Sequence, residues 1–351
     1  MSAKPPAGAA APSYAPRGAA PARLGAAPPP PAALGASPMA LAGATMGTTW
    51  SARLAAPAGL GQDRARRAIQ AALDRVVAQM STWEPDSDIT RYNQAEAGWR
   101  VLPDAFFHVL AHAQALAEDT GGAYDATVGP LVNAWGFGPH QRAHEPPSAA
   151  AIEAARARCG WRRVALDPQR RAALQPGGVY LDLSSIAKGY GVDCAAWALD
   201  ALGVRHYLVE VGGELRARGL RPDGHPWRVA VELPDASDSH ALALPLRDLS
   251  IATSGDYRRH AGAGAARFGH TLDPRSGRPV PREVASVTVA HRGCMEADAL
   301  ATALTVLGPR EGLDYARRRG LAALYILRGA QDWRVLATPA FEALANTGRC
   351  P

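Results

Sequence analysis

The chain has 351 residues, 38 Lys and Arg against 32 Asp and Glu, and a formal net charge of +6. Lys4, Arg17 and Arg23 supply half of that excess from the first forty residues, and no basic block is interleaved with aromatics, which argues against nucleic-acid binding. Cys159, Cys194, Cys294 and Cys350 are scattered with no C-x-x-C pair, which argues against a zinc site or a dense disulfide framework and for buried free thiols.

Residues 1–40 are rich in Ala, Pro and Gly and have no continuous apolar run. Such a segment cannot bury enough surface to offset its ordering entropy, so a disordered tail is expected before a single domain over 41–348. Prolines interrupt the stretch where a secretory signal would be apolar, and no lipobox cysteine is present, so the sequence by itself reads as cytoplasmic and the compartment stays open. No segment is long and apolar enough to suggest a membrane span. In the body, residues 48–54 read as a strand. Residues 63–80 read as a helix, with Ile69, Leu73, Val76, Val77 and Met80 at helical spacing. Helices are expected over 103–118 and 148–159, the second with Ser148 as N-cap and Gly160 as its stop. Strands follow at 162–166, 172–175 and 179–183, then a helix at 185–202. Further strands are expected at 207–211, 215–218, 228–233, 242–246, 249–253 and 284–290. Helices at 295–307 and 309–319 precede strands at 322–327 and 333–337. Runs of strands with segregated helices predict an α+β fold with a largely antiparallel sheet.

Two short patterns carry chemistry. Asp298 and Thr302 are one helical turn apart, so both can offer oxygens to one hard cation. Asp182-Leu183-Ser184-Ser185-Ile186-Ala187-Lys188-Gly189 runs a strand-like segment into a helix start, where free N–H groups and the Lys188 ammonium suit a diphosphate. On this reading Ser184 or Ser185 caps the helix, Ser185 lies near the metal and Lys188 near phosphate. Taken alone, each pattern is better accounted for by the plainer reading, a capped helix with an exposed lysine and an ordinary surface or capping Asp and Thr. Gly189 and Gly191 are unfavourable in a helix by roughly 1 kcal/mol each relative to Ala, so something should approach the backbone closely there. His270, ahead of a tight turn at Asp273-Pro274-Arg275-Ser276-Gly277, can act as a base or simply be a satisfied histidine.

The order of blocks goes further. Thr45-Met46-Gly47-Thr48-Thr49-Trp50 comes first, followed by Met80-Ser81-Thr82-Trp83-Glu84-Pro85 and Gly122-Ala123-Tyr124-Asp125-Ala126-Thr127-Val128-Gly129-Pro130. Trp135-Gly136-Phe137-Gly138, the Asp182 block, Val211-Gly212-Gly213-Glu214, Thr253-Ser254-Gly255-Asp256 and His270-Thr271-Leu272-Asp273-Pro274 follow. From about Thr45 onward this chain resembles the ApbE family of FAD:protein FMN transferases. The resemblance implies one compact domain similar to the tunnel fold, with FAD as substrate, magnesium (Mg2+) as the metal, and an acceptor flavoprotein carrying an S/T-G-A-T-like motif as partner. It implies Met46, Ser81, Tyr124, Asp125, Thr127, Asp182, Lys188 and Leu272 at the flavin nucleotide. Ser185, the Ala187 carbonyl, Asp298 and Thr302 fall at the metal, and His270 becomes the base that activates the acceptor hydroxyl. Some relatives carry a second acid where this chain has Ala301. An FAD pyrophosphatase and a non-catalytic FAD-binding protein are the alternatives. Ala42-Gly43-Ala44-Thr45 partly matches the acceptor motif, though a place at the first strand is the simpler role for Thr45.

Overall fold

Met46 and Gly47, with φ of 50° and 70°, form a two-residue turn that joins strand β1 (Ser37–Thr45) to β2 (Thr48–Ala56). Positive φ at both positions gives a turn whose twist suits an antiparallel hairpin. β1 begins the described part of this computed structural model, which covers residues 37–139, 146–231, 242–256, 260–262, 267–329 and 332–347. Most of the expected tail lies outside the described residues, as does Cys350. Residues 37–40, assigned to that tail from sequence, instead start β1, because they pair with residues 53–56 of β2.

Helices α1 (Gln62–Met80) and α2 (Asp88–Gln94) follow, then strand β3 (Gly98–Val101) and helix α3 (Asp104–Asp119). Next come α4 (Gly129–Ala134), α5 (Ala149–Arg156), β4 (Leu166–Asp167), β5 (Ala172–Gln175) and α6 (Ala187–Ala201). Strands β6 (Tyr207–Val211), β7 (Glu214–Arg218), β8 (Trp227–Val231), β9 (Leu242–Leu246) and β10 (Ser250–Gly255) come before four two-residue strands. These are β11 (His260–Ala261), β12 (Phe268–Gly269), β13 (Leu272–Asp273) and β14 (Arg278–Pro279). The chain continues through β15 (Val284–His291), α7 (Cys294–Arg318), β16 (Ala322–Arg328), β17 (Trp333–Ala337) and α8 (Pro339–Asn346).

The main sheet has eight strands in the order β1-β2-β6-β7-β10-β15-β16-β17, every neighbouring pair antiparallel. The fold is α+β, as expected. Alternation along the strands assigns each face a partner. Trp50, Ala52 and Leu54 of β2 and Tyr207, Val209 and Val211 of β6 pack with Ile69 and Leu73 of α1 and Val192 and Leu199 of α6. On the same layer, Val287 and Val289 of β15 and Tyr325 of β16 pack with Leu300 and Leu304 of α7. The intervening residues Leu324 and Ile326 face the other way, against the β8–β9 hairpin and Phe341 of α8. β15 is buried along nearly its whole length because it is covered on both faces. Among the described residues no helix is long and apolar enough to cross a membrane.

Two expected strands differ, and both corrections have local causes. Residues 162–166 contain a 3-10 turn, Trp161–Arg163, before the short β4. Residues 179–183 join no sheet, since two side chains and a loop carbonyl take the bonds that a strand partner would make. Gln175 Oε1 accepts from the Val179 N–H at 3.2 Å, Asn93 Oδ1 accepts from the Leu181 N–H at 2.7 Å, and the Asp182 N–H donates to the Ala126 carbonyl at 2.8 Å. The two C-terminal helices follow one another as α7, broken at Gly308, where φ is 76° and ψ 178°.

Candidate active site

α6 and α7 cross where α6 has no side chain. A Cβ on Gly189 would stand 2.3 Å from the Cys294 carbonyl oxygen and 2.8 Å from Asp298 Cβ. The crossing puts Asp298 of α7 at the first turn of α6, and Asp298 Oδ2 accepts from the Gly189 N–H at 2.9 Å. Gly191 makes room for Met46, whose Cε would lie 2.8 Å from an added Cβ. The close approach expected at these glycines is therefore to the protein itself. The expected serine cap is also corrected: Ile186 holds the N-cap position and no side chain caps it. Ser184 is bonded to Asp182, and Ser185 Oγ donates to the Tyr124 hydroxyl at 3.1 Å. The helix start offered as a seat for a diphosphate already receives a carboxylate, so an anion there depends on cations as well as on N–H groups.

A cavity of about 1050 Å³ opens at this end of the sheet. Its wall is built from the β1–β2 turn, the end of α1, the β6–β7 turn, β10, the segment 270–272, and the first turns of α6 and α7. Met46, Ser81, Asp182, Ser185, Ala187, Lys188, His270, Leu272, Asp298 and Thr302 all line it. Tyr124, Asp125 and Thr127 are not among its lining residues. Tyr124 is buried behind Ser185 and holds its hydroxyl. Asp125 accepts from Thr127 N and Oγ1 at 2.7 and 2.6 Å and from the Trp161 N–H at 3.0 Å, while Thr127 Oγ1 accepts from the Gly160 N–H at 2.6 Å. That network fastens the segment after α5 and leaves no carboxylate oxygen idle. Thr45 ends β1 with its hydroxyl buried, consistent with the strand role.

The cavity also shows what the residue reading overlooked. Trp83, two positions beyond Ser81, is 50% exposed and lines the wall, offering a flat apolar face to a ring. Its turn is rigid: Ser87 Oγ donates to the Ser81 carbonyl at 2.7 Å, Thr90 Oγ1 to the Glu84 carbonyl at 2.9 Å, and the Trp83 N–H to Ser81 Oγ at 3.3 Å. Glu84, Glu210 and Glu214 join Asp182 and Asp298 on the wall. An exposed tryptophan between polar neighbours was the available signal for the first, and a glutamate directly after Gly-Gly for Glu214.

Lys188, Glu214 and Asp298 form the electrostatic centre. Lys188 Nζ donates to Glu214 Oε1. Burial works against the ammonium, but Asp298 and Glu214 outweigh it and hold the Lys188 pKa above the usual lysine value. Burial pushes Glu214 up to about 7, opposed by Lys188 and reinforced by Asp298. Burial also raises Asp298, with Lys188 and the Gly189 N–H pulling the other way. Two buried carboxylates thus share one ammonium, an excess of negative charge that a cation would relieve.

A magnesium ion fits this donor set. Asp298 Oδ1 takes no hydrogen bond among the described residues, Thr302 stands one turn on, and Ser185 and Ala187 border the same cavity. All of these offer oxygen, as a hard cation requires. Ala301 is packed in the core at 1% exposure and adds no ligand. Among the described residues no three His, Cys, Asp or Glu side chains gather as a metal site, so water and substrate phosphate would complete the shell, the usual arrangement for magnesium.

His270 links β12 to β13 across the cavity wall, its ring centroid 6.2 Å from that of Phe137. The turn after it is tight, as expected: the Gly277 N–H donates to the Asp273 carbonyl at 2.8 Å, and Asp273 Oδ1 accepts from Arg275 N and Nε at 2.9 Å each. Asp273 is held by Arg275 and is not among the residues lining the cavity, whereas His270 is.

Comparison with known proteins agrees with this geometry. Residues 46–325 match the ApbE family. The FAD:protein FMN transferase of Haemophilus influenzae is 37% identical over 319 residues, 88% of this chain and 92% of that one. That of Escherichia coli K12 is 35% identical over 309 residues, covering 86% and 88%. Among solved structures, the apo form of the Pseudomonas stutzeri flavinyl transferase ApbE superposes with a TM-score of 0.83 at 38% identity, covering 90% of this chain and 98% of that chain. The flavin transferase ApbE of Vibrio cholerae gives 0.82 at 37%, covering 88% and 99%. With the match spanning every element that builds the cavity, from the β1–β2 turn to β16, this chain belongs to the ApbE family.

Proposed function

We propose that the protein is a magnesium-dependent transferase that moves the FMN part of FAD onto a Thr or Ser hydroxyl of an acceptor flavoprotein and releases AMP. The observation that carries this reading is that one cavity, about 1050 Å³ in volume, is lined both by the oxygen donors Asp298 and Thr302 and by His270. That volume is at the upper end of small-molecule sites, about 300–1,000 Å³, and suits a dinucleotide. The names of the relatives support the same activity.

Asp298, Thr302, Ser185 and the Ala187 carbonyl would hold the metal. When bound, the metal supplies neutralisation of the diphosphate and of the charge that builds on the leaving phosphate. Lys188 adds a fixed positive charge beside it, and Trp83, Met46 and Leu272 supply apolar surface for the rings. His270 takes the proton from the acceptor hydroxyl as its oxygen attacks the phosphorus of the FMN half. The new bond is a phosphoester, the broken bond is the P–O link of the anhydride, and AMP departs with that electron pair.

Incubation with FAD and magnesium, with and without a protein bearing an S/T-G-A-T segment, tests the proposal by mass spectrometry. The expected result is acceptor heavier by one FMN, in equal number with AMP, and no product in chelator. FMN and AMP formed at the same rate without acceptor would make it a hydrolase. FAD recovered unchanged in both arms would refute catalysis.

A further inference from the structure

Glu214 begins β7 directly after the turn at Gly212 and Gly213, which have φ of 59° and 109°. The turn is fastened, since the Gly212 N–H donates to the Thr49 carbonyl at 3.1 Å and the Gly213 N–H to Glu210 Oε1 at 2.7 Å. The Glu214 side chain is 3% exposed and borders the cavity. One oxygen, Oε1, accepts from the Lys188 ammonium; the other, Oε2, is buried with no hydrogen-bond partner. Buried carboxylate oxygens are rarely left without a donor, and where the residue borders a cavity a ligand group is one source of that donor.

The surroundings narrow the class of donor. A phosphate oxygen only accepts at neutral pH and is repelled by Glu214 in the ionised form that the Lys188 ammonium favours. A second cation at Oε2 would sit beside the Lys188 ammonium already bonded to the same group. Hydroxyl and N–H donors remain. Lys188 and Asp298, whose charges act on Glu214, lie at the end of the cavity that the proposed function gives to the diphosphate. In FAD the groups flanking a diphosphate are polyols, ribityl on one side and ribose on the other.

We infer that Glu214 Oε2 accepts a hydrogen bond from a sugar hydroxyl beside the diphosphate of bound FAD. This makes Glu214 a specificity-determining residue for a hydroxylated chain. The inference rests on the proposed FAD site. The carboxylate is preorganised by its turn and by Lys188, so little side-chain freedom is lost on binding.

The test is calorimetric titration of the full chain, parent, Glu214→Gln and Glu214→Ala, in magnesium. The probes are FAD, ADP against 2′,3′-dideoxy-ADP, and FMN against an analogue whose phosphate-bearing chain lacks secondary hydroxyls. In the parent, one of the two pairs should differ in affinity by about tenfold to a hundredfold, the range for a hydrogen bond to a charged acceptor. The gap should narrow in Glu214→Gln and close in Glu214→Ala. A gap in the ADP pair identifies the ribose, and one in the FMN pair the ribityl chain. No gap in the parent, or the same gap in all three proteins, overturns the inference and leaves Oε2 to water. Losses in Glu214→Ala that are equal for every probe and vanish in chelator overturn it in favour of a cation. A parent that fails to bind FAD sinks the proposed function instead, whereas a parent that binds and transfers FMN with no Glu214-dependent gap sinks this inference alone.

Discussion

Gly189→Ala and Gly191→Ala set helix propensity against packing two residues apart on one helix, and the structure predicts different outcomes. On propensity alone each change should stabilise α6 by about 1 kcal/mol. At Gly189 the added Cβ would meet the Cys294 carbonyl at 2.3 Å and Asp298 Cβ at 2.8 Å. Neither is the free end of a flexible side chain, so α6 and α7 must separate. Overpacking typically costs about 1–3 kcal/mol, and a clash with backbone belongs at or beyond the top of that range. The net expectation is a loss of about 2 kcal/mol, or roughly 4 °C in Tm for a domain of this size. At Gly191 the near atoms are Met46 Cε at 2.8 Å and Leu73 Cδ2 at 3.3 Å, the ends of movable side chains. Their shift should offset the propensity gain and leave stability within about 1 kcal/mol of the parent. Urea unfolding followed by circular dichroism measures both, and magnesium titration should show weakened binding in Gly189→Ala because Asp298 is displaced. Equal stability changes in the two variants, or a gain at Gly189, would refute the argument that the helix crossing explains the glycine.

Asp298→Asn keeps the side chain's volume and an oxygen for the Gly189 N–H, so it should abolish magnesium-dependent transfer without unfolding the protein; a variant that still transfers at the parent rate refutes the metal assignment. Burial raises the Asp298 pKa, so the folded state binds its proton more tightly than the unfolded state. The parent's metal-free stability from this group should therefore be present at low pH and fall as pH rises through the shifted value. Melts at pH 4 and pH 8 should show a smaller drop in Asp298→Asn, and an unchanged drop would count against the sign. His270→Ala should slow transfer by roughly 100- to 10,000-fold, the range for a lost general base, while calorimetry finds FAD affinity retained. A parallel loss of FAD affinity would make His270 a binding residue. Removing residues 1–36 should leave Tm and transfer unchanged, whereas cutting through Thr45 deletes β1 and its buried Leu41 and should lower Tm by several degrees. Equal behaviour of the two truncations would contradict the place of β1 in the sheet.

Much of the fold was legible because its strands and long helices carry strong periods. β2, β6, β15 and β16 alternate or run apolar as their burial requires, and α1 shows its buried stripe directly. The misses have physical causes. The segment 179–183 has strand composition, but Gln175 and Asn93 satisfy its backbone, and the spacing between those residues and their partners carries no local signal. β1 was lost in an Ala-rich run, where a paired edge strand looks like flexible chain until its partner is known. α8 had a readable start: Thr338 accepts from the Phe341 N–H at its N-cap and Pro339 occupies the first turn, although its eight residues give little period.

The site was legible where one element carries both halves of a motif and obscure where function depends on packing between elements. Asp298 and Thr302 reach one cavity because a helical turn brings them together, which spacing alone foretells. Ser185 invites reading as a cap; only the fold reveals that Tyr124 holds its hydroxyl and that Asp298, 109 positions beyond Gly189, occupies the α6 start. Asp125 and Thr127 sit in a block of the right pattern, and only the fold shows that their side chains also hold the backbone at Gly160 and Trp161. Glu214 shows the reverse. A glutamate directly after two glycines is only a faint signal in the sequence, but the structure adds a fixed turn, a lysine on one oxygen and a second oxygen with no partner. On the inference above, the donor that completes it is a hydroxyl of the substrate's polyol, which would add discrimination at the sugar to the charge of Lys188 and the apolar face of Trp83 on the same wall.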